Sequence, residues 1–142
     1  MNTDFNLREG LKVFHRFNNQ EERRAYGGSA FLELQYCKMK PDTSIKKIVA
    51  VGSVSHWQND SIYVHMENME DFYSNYSDIF VDGLYNNMKR GQIDVNGINY
   101  YSKMQIFSIV TDLELKKPKE YVLLLEWLKN VVQYNGVYIL GI

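Results

Sequence analysis

The sequence predicts an α+β fold in which an antiparallel or mixed β-sheet packs with about three α-helices. Strand-like runs, with period-two alternation or many β-branched residues, fill most of the first half and recur after residue 92. Three later segments carry apolar residues at helical spacing, and residues 137–142 are almost wholly apolar. We therefore expect one domain spanning residues 1–142, with its C-terminal strand built into the sheet.

Length and composition agree with a single folded core. A chain of 142 residues can bury roughly 68–70% of the surface that its unfolded form exposes. The hydrophobic fraction of 45% and the charged fraction of 23% are close to globular averages, and there are only two prolines. The composition therefore predicts a folded chain without a long disordered linker.

The first half is predicted to be mainly β-structure. Residues 11–17 alternate as a half-buried strand does, and a polar stretch at residues 18–24 separates them from the strand-like run Ser29 to Met39. β-branched residues from Ile45 to Val54, followed by a second alternation from Ser61 to Met66, predict an antiparallel hairpin.

The second half begins with a predicted helix. Asn68 can cap this helix, and the negative charges of Glu70 and Asp71 suit its first turn. Apolar residues recur at helical spacing as far as Phe80, and Gly83 is a plausible stop.

A hairpin and two more helices are predicted to follow. The Asn96-Gly97 pair, flanked by alternating apolar residues, is the strongest hairpin signal in the chain. Ser102 and Gln105 have the spacing of a capping box, and a last helix is expected from Pro118 to the Asn135-Gly136 pair. The predicted apolar face of the first of these helices consists of Met104, Ile106, Phe107, Ile109, Val110 and Leu113.

Several common reaction centres are absent from the sequence. The stretch from Tyr26 to Ser29 contains two glycines but lacks the Lys-Ser/Thr pair of a phosphate-binding loop. Cys37 is the only cysteine and lies in an apolar run, so we expect it to be a buried small hydrophobe. His15, His56 and His65 include no pair at the i, i+4 spacing of a helical metal site. The sequence therefore predicts no enzyme activity, no cofactor and no metal.

Nothing in the sequence predicts export or insertion into a membrane. The first ten residues contain no apolar run of secretory-signal length. No stretch of about 18 apolar residues is present that could cross a bilayer. A cytoplasmic protein without a membrane partner is expected.

One alternative interpretation is an RNA-processing enzyme. His56 and His65 lie on the two arms of the predicted hairpin, and two histidines with a lysine can cleave RNA by acid–base chemistry. The surrounding residues are acidic, however, and a nuclease must attract a polyanion. We therefore retain this enzyme only as the alternative.

Nucleic-acid binding is not expected from the charge distribution. The net charge is only −1. Four basic doublets are present but scattered, and solvated charge is their ordinary role. They are Arg23-Arg24, Lys46-Lys47, Lys89-Arg90 and Lys116-Lys117.

Acidic residues are concentrated in one part of the chain. Residues 48–88 contain six acids and no lysine or arginine, whereas the other residues carry all 16 basic residues. Tyrosine and tryptophan are interleaved with these acids, which suits a protein interface because aromatics provide contact area and charges steer a basic partner. The alternative is that the aromatics are core and the acids an ordinary solvated helix face. The predicted partner-binding residues are Trp57, Asp60, Glu67, Glu70, Asp71, Tyr73, Tyr76, Asp78 and Asp82.

Four tracts in the C-terminal half resemble a known group of proteins. They are residues 97–102 (GINYYS), 117–121 (KPKEY), 125–128 (LEWL) and 134–142 (YNGVYILGI). Together they resemble small cytosolic immunity proteins that bacteria encode beside polymorphic or contact-dependent toxins. The resemblance covers about a third of the chain, and none of the tracts is a catalytic signature.

The resemblance implies an antidote that binds and blocks a sibling toxin, often a nuclease, without turnover. It carries over no functional residue by position and does not identify the toxin. The partner that we predict is a basic cognate toxin, bound by the acidic and aromatic residues named above. A non-catalytic module with a different protein partner is the second alternative, and self-association is left open.

Overall fold

A six-stranded antiparallel β-sheet organises the protein. The computed structural model describes residues 12–28 and 30–141, and the spatial order of the strands is β2-β1-β6-β5-β3-β4. The strands are β1 Phe31–Tyr36, β2 Ile62–His65, β3 Gly83–Leu84, β4 Arg90–Gly91, β5 Ile98–Tyr101 and β6 Val137–Leu140. The α+β prediction is confirmed. Predicted strand ends at Leu11, Ser29 and Ile142 lie outside the described residues.

Five α-helices accompany the sheet in the described part of the chain. They are α1 Gln20–Gly27, α2 Ile45–Ile48, α3 Met69–Tyr76, α4 Lys103–Lys116 and α5 Tyr121–Lys129. Short 3-10 turns cover Val51–Ser53, Met66–Asn68 and Asn130–Gln133. The three predicted helices correspond to α3, α4 and α5, whereas α1 and α2 have no counterpart in the predicted pattern.

Both faces of the sheet are buried. Leu32, Leu34 and Tyr36 of β1 face the main core, which also contains apolar residues of α3, α4 and α5. The alternate residues of β1 face the other side, where Phe31 belongs to a small aromatic cluster and Cys37 follows in a second apolar cluster. The prediction of a buried Cys37 is confirmed.

The C-terminal strand β6 lies in the middle of the sheet. It pairs with β1 from Glu33 opposite Leu140 to Tyr36 opposite Val137, and with β5 on its other edge. All four residues of β6 are buried. An uninterrupted apolar run suits this position, because a central strand covered on both faces has no solvated side.

Helix α4 begins with the predicted capping box. Ser102 Oγ accepts a hydrogen bond from the Gln105 amide at 3.3 Å, and the Ser102 amide donates to Gln105 Oε1 at 2.9 Å. The predicted apolar face of this helix is only partly correct. Ile106, Ile109 and Leu113 lie in the core, but Met104 and Phe107 are exposed on the opposite side.

The predicted hairpin between residues 45–54 and 61–66 does not form. Ser44 caps α2 by accepting a hydrogen bond from Lys47, so the chain turns into a helix at Ile45. Strand β2 instead pairs antiparallel with β1. The β-branched residues of α2 and its flank, Ile48 and Val49, pack as apolar cover on the second face of the sheet.

The predicted strand at residues 11–17 is reduced to one bridge, between His15 and Tyr63. The carboxylate of Glu120 accepts hydrogen bonds from the amides of Val13 at 2.6 Å and Phe14 at 3.1 Å. A side chain therefore occupies backbone groups that strand pairing would have used. The predicted alternation is largely followed, because Val13, His15 and Phe17 are buried whereas Lys12 and Arg16 are exposed; only Phe14 departs from it, since it is buried too.

The ends of several helices differ from the sequence pattern. Helix α5 begins at Tyr121 rather than Pro118, because residues 118–121 form a turn with Glu120 in the left-handed region at φ 61°. Helix α3 ends at Tyr76, and Gly83 belongs to β3. Asn68 precedes α3 without a side-chain capping bond, and its Oδ1 lies 3.3 Å from His15 Nε2.

Helix α1 replaces a stretch predicted to be an irregular polar break. Asn19 caps it by accepting a hydrogen bond from the Glu22 amide at 2.8 Å. None of its residues is buried, so the helix has no apolar stripe from which periodicity could have predicted it. Arg23 attaches the helix to the sheet by lying over the rings of Trp57 and Tyr63.

Replacing Trp127 by alanine is expected to lower the free energy of unfolding by roughly 3–5 kcal/mol. Trp127 is buried, stacks on Tyr36 with ring centroids 4.1 Å apart, and donates a hydrogen bond from Nε1 to the Asp60 carbonyl at 2.7 Å. Urea denaturation would measure the loss. Val122→Ala on the exposed side of α5 is the control, with an expected change within about 0.5 kcal/mol. A loss below about 1 kcal/mol for Trp127→Ala would contradict this packing.

Candidate functional site

Three of the predicted partner-binding acids form ion pairs with lysines from outside the acidic stretch. The pairs are Asp60–Lys38 at 2.9 Å, Asp71–Lys119 at 2.5 Å and Asp78–Lys116 at 3.1 Å. The excess negative charge of residues 48–88 is therefore partly neutralised by folding. These exposed or half-exposed pairs each add little to stability, but they leave less unpaired charge for a partner.

The predicted contact residue Tyr76 lies in the core. Its ring packs against Phe14 at a centroid distance of 5.3 Å and against Phe72 at 5.5 Å. Its hydroxyl donates to the Lys119 carbonyl, and burial raises its pKa. Tyr76 is fully buried and cannot touch a partner without unfolding of α3.

Trp57 is half-buried and belongs to a packed aromatic group. It stacks on Tyr63 with ring centroids 5.4 Å apart, and the guanidinium of Arg23 lies 5.4 Å from each of the two ring centroids. The Arg23 side chain also donates to the His56 carbonyl at 2.9 Å. These contacts hold α1 and residues 56–58 on the sheet, which is a structural role for Trp57.

The predicted residues Glu70 and Tyr73 line an open cleft of about 730 Å³ beside α3. Its other lining residues come from the 3-10 turn before α3, from α3 itself, and from the loop before β5. They are Met66, Met69, Ser74, Ile93, Asp94 and Val95. The cleft thus combines two carboxylates with a floor of methionine, tyrosine and aliphatic side chains. We refer to it as the α3 cleft.

Two further predicted residues are exposed outside this lining. Glu67 is exposed beside Met66 in the 3-10 turn, where its amide donates to His65 Nδ1 at 3.2 Å. Asp82 is exposed in the segment between α3 and β3, in the left-handed region at φ 58°. Its carbonyl accepts hydrogen bonds from Arg90 and Gln105.

The loop that completes the α3 cleft is held by one buried side chain. Asn99 Oδ1 accepts from the Asp94 amide at 2.8 Å, and Asn99 Nδ2 donates to the carbonyls of Asp94 and Ile139, each at 2.9 Å. The side-chain amide of Asn99 thus binds the backbone groups of Asp94 that strand pairing in the predicted Asn96-Gly97 hairpin would have used. The turn forms, but Asp94 and Val95 stay in a loop and border the cleft.

The prediction of partner-binding residues missed six of the eight residues that line the cleft: Met66, Met69, Ser74, Ile93, Asp94 and Val95. Asp94 and Val95 lie outside the acidic stretch, and tertiary contacts bring them to α3: Asn99 holds their loop, and the Tyr73 hydroxyl donates to Gln92 Oε1 at 3.1 Å. Met66 is half-exposed, and its place directly before Glu67 was the available sequence signal.

The enzyme interpretation requires His56 and His65 on the two arms of one hairpin. The hairpin that would place them opposite each other does not form, and His65 pairs with Phe31 of β1. The His65 ring packs between Phe31 and Tyr26, at centroid distances of 4.9 and 5.5 Å. Its Nδ1 already accepts a backbone hydrogen bond.

The described residues contain no cluster of three or more histidine, cysteine or acidic side chains that could hold a metal ion. Their helices also include none long and apolar enough to span a membrane.

Comparison with known proteins found no matching family model, no similar curated protein and no similar solved structure. The α3 cleft must therefore be interpreted from its own chemistry.

A buried carboxylate on the second face of the sheet is the other unusual polar feature. Glu33 Oε2 accepts hydrogen bonds from Ser61 Oγ at 2.7 Å, Gln35 Nε2 at 2.9 Å and the Gln58 amide at 3.1 Å. Within the described residues its Oε1 has no hydrogen-bond partner. Burial raises the pKa of Glu33, and the hydrogen bonds from Ser61, Gln35 and Tyr63 oppose that rise.

Replacing Glu33 by glutamine is expected to stabilise the protein at pH 8. The pKa of Glu33 in the folded protein lies above its ordinary value of 4.5, so the ionised carboxylate destabilises the folded state. The free energy of unfolding therefore rises as the pH falls through that pKa and the carboxylate is protonated. The advantage of Glu33→Gln should therefore shrink towards pH 5. The measurement is urea denaturation of both proteins across this pH range.

Burial lowers the pKa of His15, so this residue makes the protein less stable as the pH falls. Because His15 is present in both proteins, its effect cancels when Glu33→Gln is compared with the parent. Glu126→Gln, at an exposed position of α5, is the control and should show no such pH-dependent advantage. A Glu33→Gln protein that is less stable than the parent at pH 8 would show that the fold requires the charge.

Proposed function

We propose that this protein is an immunity protein that binds a basic cognate toxin of the nuclease class in the cytoplasm and blocks its active site without turnover. The observation that supports the proposal most directly is the α3 cleft. It is wide and shallow, Glu70 and Asp94 border it, and Tyr73 and Met69 supply apolar contact area. Met66 of the lining is exposed, and exposed Glu67 beside it extends the same surface.

The charges of this surface favour a basic partner. Glu67, Glu70 and Asp94 form no ion pair within the described part of the chain, in contrast to Asp71 and Asp78. A nuclease must attract a polyanion, so its substrate groove is basic. An acidic rim around an apolar floor is complementary to such a groove.

The resemblance of the C-terminal tracts to immunity proteins supports the same proposal. An immunity protein needs a stable fold and a complementary surface, and it needs no reaction centre. The alternative RNA-processing enzyme depended on a hairpin with His56 opposite His65, and the strand that carries His65 pairs with β1 instead.

Neutralising the three unpaired acids is expected to slow toxin association. The variant carries Glu67→Gln, Glu70→Gln and Asp94→Asn, and its association rate with the protein product of the adjacent gene should fall about tenfold or more at low salt. The dependence on salt should flatten, and dissociation should change less. Surface-binding kinetics at two salt concentrations measure both rates.

The control changes the net charge by the same amount away from the cleft. It carries Glu21→Gln, Asp42→Asn and Glu126→Gln, three exposed positions, and should retain most of the association rate. Equal effects of the two variants would place the interface elsewhere. Absence of any binding by the parent protein would reject the immunity proposal.

Tyr73 is expected to act mainly on dissociation. Tyr73→Ala should raise the dissociation rate about thirtyfold or more, because a central aromatic contact contributes roughly 2 kcal/mol or more. Tyr76→Ala, by contrast, removes a core side chain and should instead lower the free energy of unfolding. Thermal denaturation separates the two effects. An unchanged dissociation rate for a folded Tyr73→Ala protein would exclude Tyr73 as an anchor.

The purified protein is expected to cleave no RNA. The predicted hairpin that would pair His56 with His65 does not form, and the ring of His65 is packed between aromatic side chains. The measurement is an RNA-cleavage assay with the parent protein and with His56→Ala and His65→Ala. Cleavage that is lost in both folded variants would establish the enzyme instead.

A further inference from the structure

Helix α4 has a second apolar face that points away from the core. Met104, Phe107 and Leu115 are 75%, 68% and 75% exposed. Their spacing, with Thr111 between them, places all four on one side of a 14-residue helix. The core side of the same helix is formed by Ile106, Ile109 and Leu113. The exposed residues therefore form a separate stripe, which we call the outer α4 stripe.

The outer α4 stripe is shaped for contact with another helix. A shallow hollow of about 290 Å³ lies at its centre, lined by Phe107, Ser108, Thr111 and Asp112. Thr111 Oγ1 donates to the Phe107 carbonyl at 3.0 Å, so its hydroxyl keeps a partner when the surface is covered. Phe107 is thus both a large exposed side chain and one wall of the hollow, whose other walls are the smaller side chains of Ser108, Thr111 and Asp112.

The charges beside the stripe identify the occupant. Lys103 and Glu114 are exposed on the same flank, near opposite ends of α4. Lys103 Nζ donates to the Val132 carbonyl at 3.1 Å, a surface hydrogen bond that an ion pair with Glu114 of a second copy would replace. When two copies of α4 pack antiparallel about a two-fold axis, Lys103 of each copy lies beside Glu114 of the other. The same arrangement places Met104 of one copy beside Leu115 of the other. A parallel pairing would provide neither match.

We propose that the protein forms a two-fold symmetric dimer through antiparallel packing of α4 against α4 of a second copy. Phe107 of each copy enters the central hollow of the other, and two Lys103–Glu114 pairs flank the apolar contact. This interface shares no residue with the α3 cleft. The dimer therefore presents two clefts, and its existence does not depend on the proposed function.

The first test is sedimentation of the parent protein over a concentration series up to the millimolar range. A reversible dimer is expected, and Phe107→Glu should weaken it about thirtyfold or more, as a central anchor does. Val51→Glu, at an exposed apolar position in a 3-10 turn outside α4, is the control and should leave it unchanged. A parent protein that stays monomeric, or a dimer that Phe107→Glu leaves intact, would overturn the proposal.

The second test is charge reversal across the axis. Lys103→Glu and Glu114→Lys should each weaken the dimer, because each places like charges together. The double variant should restore it, because the pairs re-form with opposite sign. All these side chains are exposed, and far-ultraviolet circular dichroism checks that the fold is kept. A double variant as weak as the single variants would overturn the antiparallel arrangement.

Discussion

The pairing of β6 on both edges is the constraint on which the rest of the structure depends. The β2-β1 pair and the β5-β3-β4 group are joined in the sheet only through β6. Residues paired between β1 and β6 are more than a hundred positions apart in the sequence. Closing such non-local pairs requires ordering the intervening chain first, which slows folding. β6 also accepts the hydrogen bond from Asn99 at Ile139, so the loop of the α3 cleft depends on it as well.

The sequence predicts those elements whose signals are local. The capping box at Ser102 and Gln105 correctly marks the start of α4, and the apolar run of β6 correctly indicates a strand inside the sheet. These signals succeed because each depends on neighbouring residues and on burial of a whole face. The fold class follows from them without knowledge of any tertiary contact.

The errors arise where a distant side chain replaces a backbone partner. Glu120 binds the amides of Val13 and Phe14, and Asn99 binds the backbone of Asp94. In each case a strand that the alternating pattern predicts is not formed. No local sequence pattern indicates these hydrogen bonds, because the side chain and the backbone that it binds are brought together by the fold. The candidate site is affected in the same way. Glu70 and Tyr73 follow from the acidic aromatic stretch, whereas the pairing of Asp71 with Lys119 depends on tertiary structure.

The burial of Cys37 supplies a chemical reporter of the sheet. Its carbonyl accepts from the Asn135 amide at 2.8 Å, and its own amide donates to the Gly136 carbonyl at 2.9 Å. These bonds continue the β1–β6 pairing beyond its last strand residues. Because it is the only cysteine and is fully buried, a thiol reagent can react only after this region opens. The labelling rate in native conditions thus measures the free energy of opening next to the central strand, without any engineered probe.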